Sequence, residues 1–277
     1  MIGQPRSFRP GPLLVGSGLL HLAAVAAFAR WPASWPSLTL ALLADHLLLA
    51  TAGLLPRSGL LGPNLRRLHG AAEDPRRAVA LTFDDGPEPG VTPGVLDLLD
   101  RAGARATFFL IGERAAREPG LVRSIADRGH AVGNHTWSHS KAFALQGPRR
   151  IAAELDRTQE VLETLTGTRP VFFRPPAGIR NILLEPLLAR RGLHLASWTR
   201  RGFDAFARDP DVVYHRLTRA LSPGDILLLH DGQLTSSQRR TSARSTPLVL
   251  EVLPRLLDAF AQQRLTSVPL VPGLVAS

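Results

Sequence analysis

The sequence predicts an α/β chain: a parallel βα domain of about seven strands, open or closed into a barrel, preceded by a two-helix hydrophobic hairpin. Three observations carry this. From Ala78 onward, short apolar runs alternate with amphipathic stretches, the pattern of strands whose crossovers are helices. Gly103, Gly129, Gly167 and Gly192 each stand where a helix would stop and a strand begin. Upstream, residues 13–29 and 38–55 form two apolar runs, each close to the ~20 residues that span a bilayer.

Between the two runs lie Trp31, Pro32, Trp35 and Pro36, suited to an interfacial turn with aromatic anchors. Arg6 and Arg9 precede the pair and Arg57, Arg66 and Arg67 follow it, whereas Arg30 alone marks the turn. The positive-inside rule then places both chain ends and the main domain on the cytoplasmic face. A competing reading takes residues 1–29 as a signal peptide with Ala27-Phe28-Ala29 as a cleavage pattern, which would put the domain on the extracytoplasmic face. In the hairpin, His21 and Asp45 come to similar depth and are expected to pair, reducing the cost of a buried carboxylate. The expected organisation is a membrane hairpin over 1–56, a linker over 57–77, the main domain over 78–270 and a tail over 271–277.

The formal charge of +10 is almost wholly arginine, since Lys141 is the only lysine. That balance favours anionic partners such as phospholipid head groups or phosphates, although an arginine-biased coding composition explains it equally well. No RNA-binding aromatic motif or recognition helix accompanies the charge, so nucleic acid is not an expected partner. Cysteine is absent, so any metal must be held by His, Asp or Glu.

In the main domain, strands are expected at 79–84, 105–111, 130–134, 171–174, 193–198, 225–230 and 265–269. Helices are expected near 92–102, 113–128, 148–166, 181–191, 209–221 and 246–263; the stretch 148–166 has the clearest amphipathic spacing. In such folds functional groups gather at the carboxyl ends of the strands, and the polar residues of this chain obey that rule. The first strand ends in Thr82-Phe83-Asp84-Asp85-Gly86-Pro87, two adjacent carboxylates that are costly as anions unless a cation or proton lies between them. The third runs into His135-Thr136-Trp137-Ser138-His139, two imidazoles four apart that would face one way on a helical turn. The fourth ends in Arg174-Pro175-Pro176-Ala177-Gly178, the fifth in Trp198 with Asp204 after a short turn, and the sixth in Leu228-Leu229-His230-Asp231. Thr136 stands where a thermolysin-type zinc motif needs Glu, which excludes that class.

Over roughly residues 78–270, in this motif order, the chain resembles the polysaccharide deacetylases, carbohydrate esterase family four. The resemblance implies a distorted barrel of βα units and a hydrolase that removes an N-acetyl or other N-acyl group from an amino sugar. It implies Asp84 as general base, Asp85, His135 and His139 as metal ligands, Arg174 as the residue orienting the base, His230 as general acid, and Asp204 as its partner. Leu228 would line the acetyl pocket, and Trp198 and the backbone N–H near Ala177 would contact substrate. Two departures stand out: Ala177 replaces the family's usual Tyr or Phe, and the familiar Asp-Trp pair of the fourth motif is missing. One divalent ion is expected, zinc by its donor types, with cobalt or manganese fitting the same ligands. An O-acetyl esterase or deformylase would use the same groups, and a non-catalytic, membrane-tethered glycan-binding protein is the alternative from another class. A long polar loop over 231–247 carries Arg239, Arg240 and Arg244. With the hairpin, it suggests a lipid-linked sugar as substrate, its phosphate gripped by guanidinium groups.

Overall fold

The computed structural model describes residues 5–70, 77–232 and 247–274. Two helices open it, α1 (Pro12–Arg30) and α2 (Trp35–Leu54), joined by a single 3-10 turn over Pro32–Ser34. Each begins with a proline in its first turn, where the missing N–H costs nothing. Both are long and apolar enough to cross a membrane. Leu22, Val25, Leu40, Leu43 and Leu47 are exposed along them rather than packed into a core. Asp45 is buried between the helices, where Ser17 Oγ donates to its Oδ2 at 2.7 Å. The expected partner, His21, lies at the same depth with Nδ1 4.0 Å from that oxygen, and donates instead to Ser17 O. Among the described residues the hairpin packs on the rest of the molecule at its base, where Leu13, Leu14, Leu49 and Ala52 surround Leu61.

The main body then alternates strand and helix. Its elements are β1 (Ala78–Asp84), α3 (Thr92–Arg101), β2 (Ala106–Leu110), α4 (Gly112–Arg117), α5 (Pro119–Asp127), β3 (Ala131–Asn134), α6 (Pro148–Thr166) and β4 (Phe172–Phe173). There follow α7 (Leu184–Arg190), β5 (His194–Leu195), β6 (Arg200–Arg201), α8 (Pro210–Thr218), β7 (Ile226–His230), α9 (Leu248–Gln262) and β8 (Thr266–Ser267). Every strand pairing is parallel, in the order β5-β4-β3-β2-β1-β7-β6, with β8 added against the start of β1. All seven residues of β1 are buried, as a central parallel strand covered on both faces must be.

The sheet curls until its edges meet on one stretch of chain. Ala196 N–H donates to Phe173 O on one side and Thr199 N–H to Ile226 O on the other, both at 2.9 Å. This makes the distorted barrel; the strand expected at 193–198 is shortened to β5, and β6 is a further short strand beyond it. A gap remains at that seam, and the chain fills it from a distance: Leu65 N–H donates to Leu195 O and Leu65 O accepts from Ser197 N–H. The linker is expected over 57–77, of which 57–70 and 77 are described. Instead Leu61, Leu65 and Leu68 are buried, and Arg67 Nη1 lies 3.0 Å from Asp225 Oδ1. The buried backbone groups at the seam need partners, and this segment supplies them. The helix expected over 113–128 is two, because Pro119 cannot continue α4 and Glu118 leaves helical geometry at φ −122°.

Apolar residues divide between two layers. Val79, Leu81, Phe83, Phe108, Leu227 and Leu229 face the outer helices, whereas Ala80, Phe109, Phe172, Trp198, Ile226 and Leu228 fill the barrel interior. The period-2 alternation along β1 and β7 puts Thr82, Leu228, Asp84 and His230 on one face at successive heights, which carries the polar groups to the carboxyl rim.

Candidate active site

Asp84 ends β1 and is 4% exposed; its charge is met by Arg174, whose Nη1 lies 2.6 Å from Oδ1. Arg174 is itself fully enclosed, donating also to Thr82 Oγ1, Ala196 O and Ser197 O, with its guanidinium carbon 4.1 Å above the Phe109 ring. Burial pushes this guanidinium's pKa down and the Asp84 charge opposes that. The chain turns sharply after Asp84: Asp85 has φ 73°, in the left-handed region that residues with short polar side chains tolerate best. The turn continues through Gly86, where a Cβ would come within 2.5 Å of the Asp231 carboxylate, so only glycine fits.

The turn aims Asp85 at the two imidazoles. Its Oδ1 is 3.2 Å from His135 Nε2 and 3.1 Å from His139 Nε2. His135 Nδ1 donates to Arg174 O at 2.6 Å, which fixes the ring with Nε2 facing Asp85. The expected helical turn between the histidines is absent. Thr136 and His139 have φ of 67° and 50°, and the loop is shaped instead by hydrogen bonds from neighbouring elements. Glu154 of α6 accepts from Trp137 N–H and Ser138 N–H, each at 2.8 Å, and from Ser138 Oγ at 2.7 Å. Glu154→Ala is therefore expected to release this loop and weaken metal affinity by about 10–100-fold, measured by competition with a chromogenic chelator, with the fold intact by circular dichroism.

These groups set one another's charge. Burial alone would raise the Asp85 pKa, but the His135 hydrogen bond and the fields of His135, His139 and His230 outweigh it and hold the carboxyl well below its usual range. Burial and then the His135 charge push His139 down to about 4, so its nitrogen is an available lone pair at neutral pH. For His135, burial is overcome by Asp84 and Asp85, and its pKa rises. An anion and two imidazoles, with ligand atoms all within 4.8 Å of one another, match the donor set of a single divalent ion, with zinc, cobalt and manganese as candidates.

Across the rim, His230 ends β7. Its Nδ1 donates to Asp204 Oδ1 at 2.9 Å and its backbone N–H to Asp204 Oδ2 at 2.7 Å. Burial lowers its pKa, but the Asp204 charge and hydrogen bond, then Asp85 and Asp84, lift it to about 9. Ala177 has φ 55°, and its N–H has no partner among the described residues. Leu228 and Trp198 lie lower in the barrel, both buried; the Trp198 ring stands 5.6 Å from the Arg174 guanidinium.

The structure thus places Asp84 against Arg174, Asp85 against His135 and His139, and His230 against Asp204, while Trp198 and Leu228 are buried in the barrel interior. The arginines at 239, 240 and 244 lie outside the described residues. Glu154, Thr82 and Asp231 were missed. Asp231 is fully buried, accepts from Thr92 Oγ1 at 2.7 Å, and is raised to about 7 by burial and by the charges of Asp85 and Asp84. Its place directly after His230 was the available signal. For Glu154 the signal was an acid one turn from both Ile151 and Thr158 on the buried side of α6.

Fold and site together define a parallel βα barrel with a candidate metal centre at its carboxyl rim. A family model described as polysaccharide deacetylase matches residues 71–196. A chitooligosaccharide deacetylase from a Bradyrhizobium species is 33% identical over 189 residues, covering 68% of this chain and 86% of that protein. A family 4 carbohydrate esterase from Streptomyces lividans, solved with acetate, superposes with a TM-score of 0.63 at 32% identity, covering 72% of this chain and 96% of that one. A peptidoglycan-N-acetylglucosamine deacetylase from Listeria monocytogenes is 35% identical over 161 residues, which is 58% of this chain. The match spans only 34% of that relative's length. This chain belongs to the polysaccharide deacetylase family, carbohydrate esterase family 4.

Proposed function

We propose that this chain is a metal-dependent hydrolase that removes an N-acetyl group from an amino sugar, in a polysaccharide or lipid-linked glycan at a membrane surface. The observation that carries the reading is the facing trio Asp85, His135 and His139, with a second carboxylate, Asp84, and a charged imidazole, His230, on either side. The relatives named above as deacetylases support the substrate class. Asp85, His135 and His139 would hold the ion, which when bound supplies Lewis-acid polarisation of the amide carbonyl and acidifies water.

The remaining work falls to the chain's own residues. Asp84 accepts a proton from the attacking water; Arg174 holds that carboxylate in one orientation. The Ala177 N–H, without a partner among the described residues, would serve as a donor for the developing oxyanion, a contact of the kind worth ~3–4 kcal/mol. His230, protonated by virtue of Asp204, delivers a proton to the nitrogen as the C–N bond breaks, so that acetate and free amine leave. Leu228 and Trp198 form the apolar floor that receives the acetyl methyl group.

The direct test is release of acetate from N-acetylglucosamine oligomers and from membrane glycolipids, lost on chelation and restored by zinc. Formate in place of acetate would identify a deformylase. The acid role has its own signature. His230 must be protonated, so kcat/KM should fall as pH rises through its pKa, about 9 in the metal-free centre and lower in the field of a bound cation. Asp204→Asn removes the largest stabiliser of the imidazolium and should move that alkaline limb to lower pH; an unmoved limb removes His230 from the role.

The apolar hairpin supports membrane attachment, and the arginine distribution supports a cytoplasmic active site. A reporter fused after Ser277 and active on one side of the membrane decides the face.

A further inference from the structure

The hairpin is fastened to the loop that leaves Arg174. Arg180 N–H donates to Gly53 O at 3.1 Å and Arg180 Nη2 to Ser58 O. Pro56 lies so close to Gly178 that a Cβ there would come within 2.6 Å of it. The end of α2, where an inserted hairpin leaves the bilayer, therefore sits at the active-site rim. From this point an apolar ridge continues around the mouth. Asn181 Nδ2 donates to Ala144 O at 2.9 Å and to Gln146 O at 3.2 Å, clamping the turn that follows His139 against the loop that follows Ala177. The clamp sets Leu145, 89% exposed, beside the exposed Ile182 and Leu183. Beneath it Phe143 is buried against Phe173, with ring centroids 5.9 Å apart, so the turn has its own core anchor and Leu145 is left pointing outward. Exposed cations bracket Leu145 along the chain: Lys141, the chain's sole lysine, precedes it and Arg149 and Arg150 follow it. An aliphatic crest bordered by basic residues is the composition of a segment that rests in the boundary between anionic head groups and acyl chains.

We propose that Leu145, Ile182 and Leu183 are a second membrane contact, seated on anionic phospholipid, that holds the catalytic mouth against the bilayer so that it takes amino sugars presented at the membrane surface. The proposal rests on the reading of the hairpin as membrane-inserted. The hairpin base holds the loop that follows Ala177 at Gly53 and Ser58; a further contact at Leu145, on the turn clamped to that loop, fixes which way the site faces. Continuity with the hairpin base and the basic flanks select the bilayer as occupant.

The chain has no native cysteine, so single labels can be placed without background. Spin labels on Leu145→Cys, Leu22→Cys in the hairpin, and Gln263→Cys ahead of β8 are compared in full-length protein in vesicles of phosphatidylglycerol and phosphatidylethanolamine. Collision with oxygen against a water-soluble nickel chelate reports depth. The proposal expects the Leu22 label deep in lipid, the Leu145 label ~5–10 Å below the head groups, and the Gln263 label in water. A Leu22 label in lipid with Leu145 in water overturns the ridge and leaves the inserted hairpin standing. A Leu22 label in water overturns the inserted hairpin and the ridge with it. Dipolar broadening between Leu145 labels shows that the ridge meets a second copy, which also overturns the proposal. Functionally, Leu145→Gln with Ile182→Gln and Leu183→Gln should lower turnover of a vesicle-borne N-acetylglucosamine glycolipid by about tenfold, the effect of losing ~1.4 kcal/mol of surface association. Turnover of soluble N-acetylglucosamine oligomers should stay unchanged; equal losses on both overturn the assignment.

Discussion

Asp84→Asn is expected to lower kcat for acetate release by roughly 10²–10⁴-fold while the protein keeps its metal. The two halves of that result come from different atoms. Asp84 Oδ1 is taken by Arg174 at 2.6 Å, and Oδ2 is 3.8 Å from His135 Nε2, farther than the 3.2 Å that separates Asp85 from the same nitrogen. Asp85 is also the carboxylate that both imidazoles face. An amide at position 84 keeps the size and an oxygen for Arg174 but cannot accept the water proton, so turnover falls and the ligand trio is untouched. Asp85→Asn should do the reverse first: metal affinity falls, and activity falls because of it, recovering in part at high metal concentration. Turnover by Asp84→Asn at the native rate would remove Asp84 from the base role.

Arg174→Met is expected to cost about 3–5 kcal/mol of folding stability as well as activity, read from urea denaturation midpoints. The side chain is 1% exposed and bonded to four oxygens: Asp84, Thr82, Ala196 and Ser197. Methionine fills much of the volume beside Phe109 but strands the Asp84 anion in a buried place. The cost is therefore a cost of leaving a charge unpaired, and the way to show it is to remove that charge too. Arg174→Met with Asp84→Asn should regain a large part of the lost stability and none of the activity. If the double variant is no more stable than Arg174→Met alone, the ion pair is not what the arginine contributes. Arg174→Lys should not rescue function, because an ammonium lacks the planar fork that reaches Asp84 and the two carbonyls together.

How much of this could be read from the sequence follows from where each residue sits. Asp84, Asp85, His135, Arg174 and His230 are at or just beyond strand ends, and a parallel βα fold gathers strand ends at one rim, so their convergence was legible from linear order. Asp204 was placed by its distance after Trp198 and is found hydrogen-bonded to His230. The conformation of the 135–139 loop was not legible, because the local bonds from Thr136 to Asn134 and from His139 to Thr136 are joined by those of Trp137 and Ser138 to Glu154, an acid on α6 distant in sequence. Nor was the seam. That the segment 194–201 serves both edges of the sheet, and that Leu65 inserts beside it, depend on how far the sheet curls, and a seven-strand count holds equally for an open or a closed sheet. Leu145 shows a third limit: a leucine in a polar turn reads as incidental until Asn181 is seen to set it beside Ile182.

The most direct measurement is X-ray diffraction from crystals grown with zinc, with data collected on either side of the zinc absorption edge. The account predicts one anomalous peak at the rim, ~2.0–2.2 Å from Asp85 Oδ1, His135 Nε2 and His139 Nε2. A protein that releases acetate while showing no peak there, or one whose zinc lies only elsewhere, would contradict it.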